Sequence, residues 1–268
     1  MSRFGGNTSC VVVQPTAGDP IILDLGTGLR VFGCGWPATI PFRGTALVSH
    51  LHWDHVQGLP FFAPVVRADS KIDVYGPSPQ DGGTLEAAFD AFITPPYFPV
   101  TIRQLPADIG LHVCSDQPFK AGSAVVVARE VPHCGRTLGY RIEADGVAIA
   151  YIPDHQQPFD GSYTVAESAL ELCRDADLVI HDAQYTDAEF AQKSNWGHCT
   201  VGYAVEVAIQ AGARRLALFH HDPSHTDEVM DQLTTMAQAL GLAAGVEVFA
   251  ASEGLQVEVA SAGYARLA

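Results

Sequence analysis

The sequence predicts an α/β fold in which sheets pack together with helices outside, in one domain over residues 1–268. Three observations predict it. Short apolar runs rich in β-branched residues, bounded by turn residues, recur along the chain. Helical periodicity is confined to a few segments. Strand runs dominate the first half, whereas strands and helices mix in the second.

Taken in order, the expected strands are Cys10 to Gln14, Ile21 to Leu25, Ala46 to Ser49, Lys71 to Tyr75, Ile102 to Leu105, Leu111 to Cys114 and Ala124 to Val131. Further strands are expected at Gly139 to Glu143, Val147 to Ile152, Leu178 to His181, Arg215 to Phe219, Val246 to Phe249 and Gln256 to Val259. Helices are expected at Leu85 to Phe92 and at Thr164 to Arg174, where Val165, Ala169, Leu172 and Cys173 form the apolar side. Another spans Thr200 to Ala211 behind a Thr N-cap, and a last one covers Asp227 to Leu240. The stretch T-P-P-Y-F-P-V, Thr94 to Val100, breaks regular structure and reads as an ordered loop or flap. Its Tyr97 and Phe98 suit a base cover as well as ordinary core or a dimer contact.

Composition bounds the function. Apolar residues make up 47% and charged residues 17%, which is globular and not disordered. No apolar run approaches the roughly 18 residues of a membrane span. M-S-R-F-G-G-N-T-S-C lacks the apolar core of a secretory signal. A soluble, cytoplasmic protein with no membrane partner is expected. The six cysteines are scattered, with no C-x-x-C pair, so a disulfide framework is not expected; Cys134 and Cys199 directly follow two histidines of interest. The net charge of −15 makes long nucleic acid an unlikely partner, because such binding relies on a basic footprint. A small phosphorylated ligand remains compatible if metal or local cations offset the repulsion.

The run S-H-L-H-W-D-H places His50, His52, Asp54 and His55 just after the apolar A-L-V. Side chains two apart on extended backbone share a face, so His50 and His52 converge on one ion. Asp54 and His55 follow the turn and point at a second. Imidazole with carboxylate suits zinc, and manganese or iron less specifically. Further candidates again follow strands: His133 after A-V-V-V-A-R-E-V-P, Asp154 after V-A-I-A-Y-I-P, and His220 after R-L-A-L-F. The glycine-rich D-L-G-T-G from Asp24 reads as a tight turn, with Asp24 a candidate brace for the metal loop.

H-L-H-W-D-H resembles the H-x-H-x-D-H signature of the metallo-β-lactamase superfamily. V-P-H, Y-I-P-D and L-F-H-H resemble its later elements in order, over about Gly5 to Pro223. The resemblance implies an αββα sandwich of two mixed sheets flanked by helices. It implies His50, His52 and His133 on a first metal, Asp54, His55 and His220 on a second, and Asp154 bridging. The cofactors implied are two divalent ions, zinc first and manganese second. Spacing alone does not separate His220 from His221; the family's ligand directly follows the strand, which favours His220. A homodimer also rests on resemblance.

L-V-I-H-D-A-Q-Y (Leu178 to Tyr185) and N-W-G-H-C-T (Asn195 to Thr200) resemble paired motifs of tRNase Z and related phosphodiesterases. Mapped by motif, Asp182 is the orienting carboxylate and His198 the proton donor, with Asp54 beside them as a catalytic residue. His155 and His181 match no motif position and are expected to be structural. Asp182 is shorter than the family's glutamate. The segment between Tyr75 and Thr101 has no Lys or Arg, so the basic arm that grips tRNA is missing. The expected function is therefore a two-metal phosphodiesterase acting on a small phosphodiester such as a 3′,5′-cyclic nucleotide. A metal-activated hydroxide attacks phosphorus and His198 protonates the leaving oxygen. The alternatives are tRNA 3′-end processing and lactone or ester hydrolysis on the same metals.

Overall fold

The computed structural model describes residues 2–260, and its chain divides into two compact units. The first comprises Asn7–Asp116 with Lys120–Ser123. It contains β1 (Val11–Val13), β2 (Ile21–Leu23), α1 (Gly28–Gly35), β3 (Arg43–Leu47), β4 (Lys71–Gly76), α2 (Leu85–Asp90) and β5 (Asp108–Val113). Its sheet runs β1-β2-β3-β4-β5, antiparallel between β1 and β2 and parallel thereafter. β2 reads I-I-L, a continuous apolar run, and is buried throughout. Ile22, Ala46, Ile72 and Val74 pack with Phe42, Phe62, Leu59 and Phe89 into one core. That core fixes β3, so the chain leaves Leu47 buried and delivers Ser49 and His50 at the strand's carboxyl end.

The second unit holds β7 (Ala124–Val131), β8 (Thr137–Ala144), β9 (Val147–Ile152), α3 (Glu167–Cys173), β10 (Leu178–Asp182) and α4 (Asp187–Lys193). It continues through α5 (Val201–Gln210), β11 (Arg215–Phe219), α6 (Asp227–Ala244) and β12 (Glu247–Ala250). The short β6 (Phe119–Ala121) lies where the chain passes between units. The order β12-β11-β10-β9-β8-β7 is parallel from β9 to β12 and antiparallel across β7, β8 and β9. Asp145 and Gly146, both at positive φ, turn the β8–β9 hairpin. β7 is antiparallel to β8 and β8 to β9, so β7 runs with β9, β10 and β11. Four strands thus end on one sheet edge, where the chain continues to His133, Asp154, Asp182 and His220. Ligand sites in such sheets form outside the carboxyl ends of parallel strands.

Helices α3, α5 and α6 bury Leu172, Val201, Ala204, Val207, Met230 and Leu233 against Val179, Leu216, Leu218 and Val248. Leu172 has no exposed surface, and truncating such a leucine to Ala typically costs about 2–5 kcal/mol. Thr200 caps α5 by accepting the Tyr203 N–H at 3.1 Å. Gly245, at φ +80°, ends α6 in the left-handed cap glycine favours.

Two expected strands are corrected. Ile102–Gln104 forms a 3₁₀ turn, because Gln104 Oε1 accepts the Thr101 N–H at 2.9 Å in a capping box. Residues 256–259 form no strand. Arg215 donates to the Glu258 carbonyl at 3.1 Å and Arg214 to that of Ala260 at 3.1 Å, so side chains take carbonyls a ladder would have used. Helices α1 and α4 arise where no helix is expected. Residues 94–100 form turns, as anticipated. Among the described residues, no helix is long and apolar enough to cross a membrane.

Candidate metal centre

Each unit carries its own set of imidazole and carboxylate groups. In the first, His50 lies 4.4 Å from His52 and 4.2 Å from His55, ring centroid to centroid. Trp53–His55 is a 3₁₀ turn that brings Asp54 Oδ2 to 3.2 Å from His55 Nε2. Asp24 organises this loop from full burial. Its Oδ1 accepts the Ser49 N–H at 2.7 Å. Its Oδ2 accepts from His55 Nδ1 at 2.7 Å, Ser49 Oγ at 2.9 Å and Ser9 Oγ at 3.2 Å. With Nδ1 donating to Asp24, His55 is left with Nε2 as the nitrogen it could offer a metal. Asp24 reaches this position at φ +59°, a backbone cost of the kind found where function requires it. Gly58 packs so tightly beneath the loop that a Cβ would meet the Gly26 carbonyl oxygen at 2.0 Å. D-L-G-T-G is thus a turn that braces the histidine loop. The sequence reading passed over Ser9 and Ser49; their signal is small hydroxyls flanking a buried aspartate.

In the second unit Asp154, buried at 2% exposure, divides its two oxygens between two imidazoles. Oδ2 lies 3.5 Å from His133 Nε2 and Oδ1 lies 3.4 Å from His220 Nε2. His133 Nδ1 donates to the Gly197 carbonyl at 2.6 Å, which turns its Nε2 toward Asp154. Ligand atoms of Asp154, His198 and His220 lie within 4.8 Å of one another. His220 sits at φ +55° directly after β11. His221 points elsewhere: its Nε2 donates to the Ala251 carbonyl at 3.0 Å and its ring packs edge-on against Phe4. This donor chemistry fits a divalent ion. One carboxylate faces two nitrogens through different oxygens, as a bridging ligand does, and His133 is oriented through its other ring nitrogen.

Asp182 and His198 meet beside this set. Asp182 Oδ2 is 2.9 Å from His198 Nδ1 and 3.0 Å from the His155 N–H, and Oδ1 accepts the Gln184 N–H at 3.1 Å. The aspartate is fully buried, and its shorter side chain reaches the histidine directly. The loop carrying His198 is pinned to the chain after β10, since Tyr185 N donates to the Cys199 carbonyl and Val201 N to the Tyr185 carbonyl, each at 3.0 Å. His198 stacks on His220 with centroids 5.0 Å apart. Burial, helped by Asp182, pushes the Tyr185 phenol well up, so it stays protonated. Lys193 lies 4.9 Å from the Tyr185 ring and 5.5 Å from that of Trp196, and pairs with Asp222 at 3.1 Å. It is a cation five residues before His198 that sequence reading did not single out.

His155 and His181 form a buried pair, Nδ1 to Nε2, at 2.9 Å. His181 Nδ1 donates to the Asp182 carbonyl at 2.7 Å. Burial lowers both imidazoles, so the pair is neutral and structural. Cys199 Sγ donates to the same carbonyl at 3.0 Å, and burial holds its thiol well up. Cys134 is exposed, with Sγ 3.5 Å from the Asn195 carbonyl oxygen. In the first unit Phe98 packs edge-on against Phe61 at 5.8 Å, while Tyr97 is exposed.

Known proteins place this architecture. Ribonuclease Z of Haloarcula marismortui is 25% identical over 278 residues, covering 84% of this chain and 85% of its own. The metallo-β-lactamase fold protein YhfI from Bacillus subtilis shares the fold with a TM-score of 0.71 at 19% identity, over 94% of each chain. Human tRNase Z, short form, does so with a TM-score of 0.66 at 20% identity, over 94% of this chain and 93% of its own. These likenesses bear out the resemblance to the tRNase Z branch and the α/β class with two mixed sheets. The β-lactamase superfamily domain matches residues 37–221, most of the chain, and the chain belongs to that family of metal-dependent hydrolases.

Proposed function

We propose that this protein is a two-metal phosphodiesterase of the ribonuclease Z kind, cleaving an RNA phosphodiester with His198 as proton donor. In this reading His50, His52 and His133 would hold one ion, Asp54, His55 and His220 would hold the other, and Asp154 would serve both. The observation that carries it is the 2.9 Å pair of Asp182 and His198. Such a pair serves a reaction whose leaving group needs a proton, which an alkoxide leaving phosphorus does. Bound at these residues, two divalent ions would supply a nucleophile at neutral pH and offset charge on the phosphoryl oxygens. Zinc suits the imidazole-rich donor set best. Asp182 accepts from Nδ1, which fixes the orientation of the imidazole. Nε2 then faces away from Asp182 and carries the proton to be given.

The related ribonucleases support this reading over the small-phosphodiester one, and they weigh against the expectation that long nucleic acid is an unlikely partner. One observation keeps the small substrate as a second reading. The net charge is −15, and residues 76–100 carry no Lys or Arg to grip a tRNA. The test is turnover by zinc- or manganese-loaded protein on a precursor tRNA with a 3′ trailer, cyclic AMP, bis(p-nitrophenyl) phosphate and a lactone. Cleavage at the trailer is expected. Turnover of cyclic AMP alone would install the second reading, and turnover of the lactone alone would remove both.

A further inference from the structure

Two glutamines follow Asp154 and His155 in the chain and have no part in the site so far described. Both are buried in the second unit. Gln156 touches backbone immediately before two of that unit's site histidines, His133 and His198. Its N–H donates to the Pro132 carbonyl at 2.7 Å, one residue before His133. Its side-chain Oε1 accepts the Gly197 N–H at 2.8 Å, one residue before His198. Its Nε2 donates to the carbonyls of Ser194, at 2.7 Å, and Gln157, at 2.6 Å.

Gln157 takes the other side of the same loop. Its N–H donates to the His198 carbonyl at 3.3 Å. Its Oε1 accepts from the Thr200 N–H and hydroxyl, both at 3.0 Å, and its Nε2 donates to the Gly161 carbonyl at 3.0 Å. The loop between these clamps has little freedom. Gly197 is at φ +97°, and a Cβ there would meet His133 Cε1 at 2.5 Å. Its carbonyl is also the acceptor that orients His133.

We propose that Gln156, seconded by Gln157, is a positioning residue that locks the 194–200 loop to the Asp154 strand end. One amide thereby sets the Gly197 carbonyl for His133 and the reach of His198 from Asp182. A buried primary amide does this where an apolar residue cannot. It bonds the Gly197 N–H and the Ser194 carbonyl of the loop and the Gln157 carbonyl of its own segment at once. The effect on the proton donor rests on the phosphodiesterase reading. The effect on His133 rests only on the metal-site geometry.

The test compares Gln156→Met and Gln157→Met, which keep volume and remove the hydrogen bonds, with Gln238→Met as control. Gln238 donates to the Val248 carbonyl at 3.2 Å from helix α6, away from this loop. Two readouts are taken: the rate of zinc release to a chelator, and the ratio of kcat for a p-nitrophenyl ester to kcat for an alkyl phosphodiester. A p-nitrophenolate leaves without an acid, whereas an alkoxide needs His198.

Gln156→Met is expected to speed zinc release about tenfold to a hundredfold. It is expected to raise the leaving-group ratio at least about tenfold, a fraction of what general acids contribute, with KM little changed. Gln157→Met should raise the ratio with less effect on zinc. Gln238→Met should leave both readouts at wild type. Wild-type zinc release and an unchanged ratio in Gln156→Met, even with a lowered melting temperature, would overturn the proposal, since that is what a purely structural amide gives. If the wild-type protein cleaves no phosphodiester, the functional reading fails. The zinc-release comparison of Gln156→Met with Gln238→Met then decides the clamp by itself.

Discussion

Asp182 Oδ2 and His198 Nδ1 lie 2.9 Å apart, and two backbone N–H groups, from His155 and Gln184, hold the carboxylate in place. The carboxylate is therefore fixed before the imidazole reaches it. Asp182→Asn would preserve the shape while offering an amide where a carboxylate stood. The orientation and tautomer of His198 would then no longer be fixed. For an alkyl phosphodiester, kcat is expected to fall about 10²- to 10⁴-fold, the range ascribed to general acid catalysis, with KM nearly unchanged. Steady-state kinetics on metal-loaded protein checks this, and an equal loss on a p-nitrophenyl ester would show that the pair does something other than deliver a proton.

Asp24 is the corresponding organiser in the first unit, and its removal should be felt in metal binding before chemistry. Asp24→Ala leaves Ser49, Ser9 and His55 Nδ1 buried without the acceptor they share. Each hydrogen bond lost to this charged acceptor costs about 1.5–3 kcal/mol, so the melting temperature should drop by several degrees. Zinc affinity should weaken by about 10- to 100-fold, the usual effect of losing the partner that orients a ligating histidine. Chelator competition and a thermal melt on the same sample separate the two effects. A variant that melts lower but binds zinc as before would reduce Asp24 to a folding residue.

Much of this site was legible in the sequence because the fold puts chemistry at strand ends. A short apolar run followed by a histidine or aspartate is easy to see, and β3, β7, β9, β10 and β11 all deliver one in that way. Less visible was whatever depends on side chains meeting from far apart. Nothing local to Asp24 shows that three residues donate to it, and nothing in Q-Q shows that one glutamine, by backbone and side chain, spans from Pro132 to Gly197. Helix α4 was missed because only Phe190 of its seven residues is buried, so no apolar stripe marks it. Its signal was the box formed by Thr186 and Glu189, where Glu189 Oε2 accepts the Thr186 N–H at 2.8 Å. The run Ile102 to Leu105 misled in the opposite direction. Its apolar ends suggest a strand, but the Thr101 and Gln104 cap closes a helical turn first.

The buried imidazole pair predicts an acid-sensitive fold. Burial lowers His155, with His181 and His133 adding to the effect, and burial lowers His181 against opposition from Asp182. Both groups are neutral in the folded protein, while in the unfolded chain they titrate near the ordinary value of about 6.5. Above that value neither state binds the proton, and the stability is fully present. As pH falls below it, the unfolded chain gains protons that the folded pair refuses, so stability is lost toward the depressed folded values. The melting temperature of chelator-treated protein should fall between pH 7 and pH 5, and should fall less in His155→Gln. Parallel curves for the two proteins would locate the acid sensitivity elsewhere.

Trp196 is 60% exposed two residues before His198, with the Lys193 ammonium 5.5 Å from its ring centroid. On the proposed function, an exposed indole two residues before His198, backed by a cation, is suited to stack a base flanking the scissile bond. Base–aromatic stacking contributes about 1–3 kcal/mol per base, equivalent to about 5- to 150-fold in affinity. Trp196→Ala should therefore raise KM for a precursor tRNA within that range. It should leave KM for bis(p-nitrophenyl) phosphate unchanged, since that substrate has no flanking base. Lys193→Ala should act on the same substrate in a salt-dependent way, because an ammonium that meets a phosphate displaces a counterion. Its effect on KM should be largest at low ionic strength and shrink as salt rises. If both variants keep wild-type KM for the RNA while Asp182→Asn still loses kcat, the RNA must approach His198 from another side. If both instead raise KM for cyclic AMP and not for tRNA, the small-phosphodiester reading becomes the stronger one.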